Sequence, residues 1–433
     1  MRRLAVVSSI VALVGCSGDP CDRDTIADAL ANATGGTVTL PECTMFGGVT
    51  IPPGVALVGV SKASVVEIGP SDGPIVLQSG GSPARLQNVR VRLFDGVAIE
   101  SAGTGSVQIE DVEVEVDAGI GVQLDQVATA SLVDVEIVGS AVCGGATTGA
   151  THGLRITDVA DAQLTNVTVQ RFSVAGVAAF NSAVTWTGGD ANNNMNVGVF
   201  AQAGTVMLED IALDRTCAPP ALPHGYAAYF DGQVTVDTLG LSVQENEGFG
   251  LVHAGAAGTR PLAAHLGLTA INNDKPAVWA QSADALEVSG SLVGNGSGAV
   301  VALDSASLAL HDLEVRDTQL IQLVLETTAV PFGDGIQIVG PTPGSSYEDI
   351  TITNSGRAGL LIDVAGQTLP ATTFSNVEIT APAMAIGARA QNGVIPAGWD
   401  QGILRTNTSS TADQAGGPID PTGVIGPCEQ PAI

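Results

Sequence analysis

Two long insertions in this chain end in the same pair of letters, His152-Gly153 and His224-Gly225, and Arg155 and Asp158 follow the first of them closely. An imidazole, a guanidinium and a carboxylate are the groups that general acid–base chemistry draws on near neutral pH. His152, Arg155, Asp158 and His224 are therefore the candidate catalytic residues. The plainer alternative is that the histidines cap loop ends and the charges are solvated. On a stacked scaffold the two histidines fall about three coils apart, roughly 14 Å at strand spacing, too far to share a metal unless the loops fold inward. No CxxC or Cys/His spacing points to zinc, and no metal site is assigned.

A second set of residues carries binding chemistry. When the short apolar runs that begin with Gly or Ala are aligned, the residues two and four places on point outward. Phe180, Phe200, Tyr229 and Trp279 then gather on one outer face beside Gln202 and Gln281, in a chain only 3% aromatic. Rings next to amides suit stacking and hydrogen bonding to sugars. The same row suits a protein partner, or a surface that loops or the C-terminal tail cover. All three readings stay open at this level.

The elements that must position these residues are announced by a phrase repeated about a dozen times with changing letters. An Asn or Asp precedes alternating apolar residues, and a turn, a Gly and a second apolar run follow. Examples are Asn88-Val-Arg-Val91, Asp111-Val-Glu-Val114, Asp134-Val-Glu-Ile137, Asn166-Val-Thr-Val169, Asp210-Ile-Ala-Leu213, Asp312-Leu-Glu-Val315, Asp349-Ile-Thr-Ile352 and Asn376-Val-Glu-Ile379. A period in the twenties built of short strands is the mark of a solenoid. Low charge, few aromatics and 54 glycines suit small side chains stacked inside coils. The Asn/Asp column belongs at a bend, where these residues tolerate left-handed backbone. Equal steps of 23 residues from 88 to 111 to 134 stack the column. Asn88, Asn166 and Asn376 are thus expected to form amide ladders, and Asp111 to meet Asp134 as solvated turn residues or around a cation such as Ca2+. The marker fades between residues 233 and 305.

Residues 22–34 read as a short amphipathic helix capped by Asp24 or Thr25. It leads into Gly36-Thr-Val-Thr-Leu-Pro41 and Val49-Thr-Ile-Pro-Pro-Gly-Val-Ala-Leu-Val-Gly59. Over roughly residues 22–395 the chain resembles the pectate-lyase-like superfamily. That resemblance implies an all-β, single-stranded, right-handed parallel β-helix of about a dozen coils with an N-terminal capping helix. Enzymes of the superfamily use acidic calcium ligands with an Arg or Lys base, paired Asp with Arg, or three Asp with Gly-His-Gly. Thr151-His152-Gly153-Leu154-Arg155-Ile156 echoes the last in part, and the Asn-Thr-Asp, Asp-Asp and Gly-His-Gly patterns are missing.

At the N-terminus, Arg2 and Arg3 precede an apolar run, Leu4 to Val14, too short to span a bilayer. Leu13-Val14-Gly15-Cys16 resembles the lipobox of bacterial lipoproteins. This implies a signal peptide over 1–15, lipidation of Cys16, a linker over 16–21 and attachment to a membrane through the lipid. Ser17 after the Cys favours the outer membrane or cell surface. The β-helix domain is placed at 22–395, and a C-terminal cap with a flexible tail at 396–433.

Export permits disulfides. Cys21 and Cys43 bracket the capping helix and make the first pair; Cys143 and Cys217, in two long excursions, make the second. With Cys16 lipidated, five of the six cysteines remain, so one, Cys428 by this count, is free or bonded to another chain. Loss of Arg2 and Arg3 takes the formal charge from −28 to −30, which sets nucleic-acid binding aside and keeps a long chain soluble. Two functional readings follow. The first is a non-catalytic, lipid-anchored surface protein presenting a face to polysaccharide or another surface protein. The second is a polysaccharide lyase, esterase or hydrolase on the same scaffold.

Overall fold

The computed structural model describes residues 20–145, 149–220, 224–255, 261–305, 307–325, 328–341, 344–380, 386–408, 431 and 433. The expected signal segment 1–15, Cys16 and Cys428 lie outside the described residues, as do nearly all residues beyond 408. The chain is an all-β parallel β-solenoid of about 14 turns and 3% helix. It divides into two compact units, Met1–Asp190 and Ala191–Ile433. Among the described residues no helix is long and apolar enough to cross a membrane.

In the first unit the helix Arg23–Asn32 buries Ile26 and Leu30, one turn apart on the same side. Its cap is Asp22, two residues ahead of the earliest position the sequence suggested. The Asp22 carboxylate accepts both the backbone N–H and the hydroxyl of Thr25, at 3.0 and 2.9 Å. A disulfide joins Cys21 to Cys43 and ties the helix to the entry of the first coil. Such a bond belongs to an oxidising compartment outside the cytoplasm. Cys143 and Cys217 are disulfide-bonded as well.

Stacking above the helix follows the repeat. The strands Ala84–Leu93, Ser106–Val116, Thr129–Gly139 and Asp161–Gln170 pair in parallel, each on the next coil. Val89, Val112 and Val135 fall in one register, Val91, Val114 and Ile137 in another, and all six are at most 1% exposed. Burying each such side chain stabilises the coil by about 1.5–3 kcal/mol, so alternation alone holds these strands with one face inward. A second sheet stacks Val97–Ala102, Gly119–Asp125, Ala150–Thr157 and the strand opening at Ala175. Its leading glycines answer a close approach: a Cβ on Gly153 would stand 2.1 Å from Cγ1 of Val169 and 2.8 Å from the Gly176 carbonyl oxygen.

The Asn/Asp column has the expected backbone. Asn88, Asp111, Asp134, Asn166, Asp210, Asp312, Asp349 and Asn376 all have φ between 48° and 53°. The expected Asn-on-Asn ladders do not form there. Asn88 donates to the Gly59 carbonyl, Asn166 to Asp134 at 3.0 Å and Asn376 to Asp349 at 2.6 Å. Asn donating to the Asp of the coil below satisfies the amide where the two meet. Asp111 and Asp134 stand in adjacent register, and each carboxylate has its own partner: Lys62 pairs with Asp111 at 2.9 Å, and Asn166 donates to Asp134.

In the second unit the same column continues through glycine. Gly240 and Gly267 hold the left-handed position with φ of 66° and 65°. Glycine takes that conformation at no steric cost, which is why the letter marker fades while the turn persists. Strands Leu262–Ile271, Ala285–Val293, Leu308–Arg316, Ser346–Thr353 and Thr373–Thr380 stack in one sheet, and Gly248–Ala254, Val278–Gln281, Gly298–Leu303, Asp334–Val339, Ala358–Asp363 and Ile386–Gln391 in another. A last rung, Ile403–Thr406, pairs with Thr373–Thr380, so parallel pairing runs past residue 395. An antiparallel hairpin, Ile321–Leu325 with Thr328–Phe332, interrupts the coils.

Candidate functional site

The outward letter of the repeating phrase builds the most developed polar surface of the first unit. Between the inward residues Val89 and Val91 stands Arg90, and register places Glu113 and then Glu136 on the following coils. One position on, Glu67, Arg92 and Glu115 stack likewise. Arg90 donates through Nε and Nη2 to Oε2 of Glu113 at 2.8 and 2.7 Å, and Arg92 Nε donates to Glu115 at 3.0 Å. The Glu113 carboxylate, first by its hydrogen bond, holds the Arg90 guanidinium even more firmly protonated than usual. Beyond them Gln170 reaches Glu136 at 3.4 Å, and the Ser140 hydroxyl donates to the Asp117 carbonyl at 2.8 Å.

Arg90, Glu113, Glu115, Asp117, Glu136 and Arg171 line an open groove of about 540 Å³. It holds four carboxylates, Glu113, Glu115, Asp117 and Glu136, against two guanidiniums, Arg90 and Arg171. Arg90 and Glu113 keep 32% and 28% of their side-chain surface exposed, so the pair remains reachable while the sheet fixes its position. Planar groups of both signs, held at strand spacing, can give and accept paired hydrogen bonds. Sequence reasoning passed over these residues, although the signal was present as the third letter of Asn88-Val-Arg, Asp111-Val-Glu and Asp134-Val-Glu.

The expected catalytic residues occupy other settings. His152 opens a strand of the first unit, with Nδ1 3.2 Å from the Thr151 hydroxyl. Burial, and then the nearby Arg155 charge, lower its pKa to about 4, so the ring is neutral at pH 7. The Arg155 guanidinium lies over the Phe180 ring, 5.7 Å from its centroid. Asp158 has φ of 53° and accepts the Asn181 amide at 2.7 Å, the role of a turn residue. In the second unit the His224 ring meets Phe249 edge-on at 5.5 Å.

Of the three readings of the aromatic row, burial favours the covered one. In the second unit Phe200, Tyr229 and Trp279 are only 2%, 4% and 2% exposed. Phe200 stacks on Tyr229 at 6.2 Å, Tyr226 meets Tyr229 edge-on at 5.3 Å, and Phe249 meets Trp279 edge-on at 6.5 Å. A period of two gives these rings a direction and says nothing about what lies over a face. Their register neighbours Val252 and Val301 are buried too, so this sheet is buried on both sides. In the first unit Phe180 is half-buried under Arg155. Gln281 is exposed, and Gln202 donates to Asp231 at 2.7 Å beside a second open groove of about 510 Å³. Among the described residues no group of three or more His, Cys, Asp or Glu side chains is arranged to hold a metal ion.

No family model matches the chain, and no curated protein matches it. Among solved structures it is similar to the catalytic unit of a thermostable GH87 α-1,3-glucanase from Streptomyces thermodiastaticus, at 16% identity over 90% of this chain and 67% of the other, with a TM-score of 0.33. It is similar to the A-module of the Azotobacter vinelandii mannuronan C-5 epimerase AlgE6, at 15% identity over 88% of this chain and 94% of the other, TM-score 0.34. A third is the tailspike protein of E. coli bacteriophage HK620 in complex with a pentasaccharide, at 10% identity over 90% of this chain and 74% of the other, TM-score 0.34. Likeness at this level carries no activity across to this chain.

Proposed function

We propose that the chain is an exported protein, anchored through lipid on Cys16, that binds glycan without turning it over. Its binding surface is the Arg90–Glu113–Glu136 groove of the first unit. The observation that carries this reading is the groove itself: charged donors and acceptors are fixed by strand register on a rigid sheet, and its lining offers no aromatic or large apolar anchor. Protein interfaces concentrate their energy in buried aromatic and apolar anchors, which favours a hydroxyl-rich ligand here over a surface protein. The engagement of His152, Arg155 and Asp158 in packing and turn contacts favours binding over catalysis. The Cys21–Cys43 disulfide is in keeping with export.

The test is a glycan array probed with residues 17–433, which omit the lipid-bearing Cys16, with every bound glycan examined for products by mass spectrometry. Binding that falls at least tenfold in Arg90→Met and in Glu136→Gln supports the groove. No binding to any glycan sinks the proposal. The enzymatic reading keeps one observation in its favour, four carboxylates beside two guanidiniums in one groove, since carboxylate pairs perform acid–base work on glycosidic bonds. Cleaved or deacylated products would establish it.

A further inference from the structure

Two histidines that no functional reading uses face each other inside the second unit. His253, on the strand Gly248–Ala254, and His265, on Leu262–Ile271, are both 0% exposed, and their Nε2 atoms lie 2.8 Å apart. On the preceding coil the Thr238 hydroxyl lies 3.0 Å from Nδ1 of His265, and the Phe230 ring stacks on His253 at 4.9 Å. On the following coil the register partners are Ala280 and Val288. Nδ1 of His253 has no hydrogen-bond partner among the described residues.

One proton arrangement fits these contacts. Nε2–H of His253 donates to Nε2 of His265, whose Nδ1–H donates to Thr238. Only a lone pair on His253 is then left over, whereas the reverse arrangement buries an unpaired N–H. The bond between the rings needs one acceptor nitrogen. Protonating the accepting ring sets N–H against N–H and places a positive charge among Phe230, Thr238, Ala280 and Val288. None of these can neutralise it. Of the ionisable residues on the same and neighbouring strands, Asp237 is exposed, and Asp231 and Glu287 are half-buried on the outer side or at a turn.

We propose that the His253–His265 pair is an acid-operated lock on the second unit, closed near neutral pH and released in mild acid by opening of the strands Gly248–Ala254 and Leu262–Ile271. Burial drives both imidazoles toward the neutral form, His265 to about pKa 3 and His253 well below its usual value with the His265 charge contributing. The sign follows: an open state with ordinary imidazoles binds more protons than the closed one below about pH 6.5, so closure is favoured above that pH and lost as pH falls. Each ring shifts the opening equilibrium by up to about tenfold per pH unit, and the pair by up to about a hundredfold. The strand that opens also carries Val252, which separates Tyr229 from Trp279 in the buried aromatic row. Acid therefore makes that row accessible, independently of the groove in the first unit.

Hydrogen exchange on the mature chain between pH 7 and 5, corrected for intrinsic rates, tests the lock. Expected is a loss of protection in 248–254 and 262–271 at least tenfold greater than in Ser106–Val116, a loss that the double variant His253→Leu/His265→Leu does not show. An equal pH response in wild type and variant, or no response in wild type, overturns the proposal. Should the variant fail to fold, histidine NMR of the wild type decides. Two imidazoles that stay neutral to about pH 6 and gain their protons only as 248–254 and 262–271 lose protection support the lock, and titration of all five near pH 6.5 overturns it.

Discussion

The side-chain amide of Asn246 donates to Oδ1 of Asn273 at 2.7 Å, and Asn273 repeats the bond to Asn295 at 2.8 Å, one coil after another. All three are at most 1% exposed. Each amide also serves the main chain: Asn246 donates to the Leu213 carbonyl, Asn273 to that of Val243 and Asn295 to that of Ala270. Buried main-chain groups at a turn need such partners. Asn273→Ala leaves the Val243 carbonyl and the Asn246 amide without theirs, and should cost about 2–5 kcal/mol. Urea unfolding followed by tryptophan fluorescence measures this directly. A loss below about 1 kcal/mol would show that the ladder is decoration rather than support.

Arg357 and Asp334 pose a different problem, a full ion pair with side chains 8% and 0% exposed. Arg357 Nε donates to Oδ1 of Asp334 at 2.9 Å, and Nη2 pairs with Oδ2. Burial raises the Asp334 pKa and the Arg357 hydrogen bond and charge pull it back, so each partner is tolerated because of the other. Removing one strands a charge. Arg357→Met is expected to cost about 3–5 kcal/mol, and the double variant Asp334→Leu/Arg357→Met to recover most of it. A double-mutant cycle by thermal unfolding checks the pair; additive losses would contradict the coupling.

The sequence carried the solenoid far and the site only part of the way, for a physical reason visible in particular residues. Val89, Val112 and Val135 had to share an inner row because alternation and a constant step leave no other register. The left-handed turn was legible wherever Asn or Asp occupied it, and vanished from view at Gly240 and Gly267, where glycine does the same work without a side chain. Arg90, Glu113 and Glu136 were equally legible as outward letters on equal steps, but charged letters facing solvent on a strand carry no mark that tells a binding row from a solvated one. Burial of Phe200, Tyr229 and Trp279 was legible only as one of three readings, a covered row beside a glycan face or a protein face. An outward direction follows from the strand; what covers an outer face depends on segments far along the chain. The Asn246–Asn273–Asn295 ladder was less legible because its members lie 27 and then 22 residues apart, although each follows its strand's last residue by two.

Two histidines should titrate in opposite directions. His311 sits between Asp312, at 3.1 Å, and Glu287, at 2.8 Å, and the hydrogen bond to Asp312 followed by that to Glu287 raises its pKa. Burial lowers that of His152 to about 4. The stability His311 contributes is present below its unfolded pKa of about 6.5 and lost as pH rises through the raised folded value, and it is small because the site is partly exposed. The contribution of His152 is the reverse, present above about 6.5 and lost as pH falls toward 4. Proton NMR of the imidazole Cε1–H resonances, assigned by His152→Gln and His311→Gln, should place one midpoint near 4 and the other above 6.5. A His152 midpoint near 7 would return that residue to the catalytic candidates, because a ring half-protonated at neutral pH can move protons both ways.

Trp279 separates the two uses open to its row. With 2% of its surface exposed, between the register partners Val252 and Val301, the ring is positioned as a packing element. Trp279→Ala should therefore cost about 3–5 kcal/mol of stability, the usual penalty for emptying a large buried site. Glycan affinity of the folded protein at pH 7.5 should stay within about twofold, since the Arg90–Glu113 groove belongs to the other unit. Acrylamide should quench Trp279 poorly at that pH in a variant carrying Trp186→Phe and Trp399→Phe. The opposite pair of results, intact stability with binding abolished, would mean that the row meets its ligand directly and becomes exposed on binding.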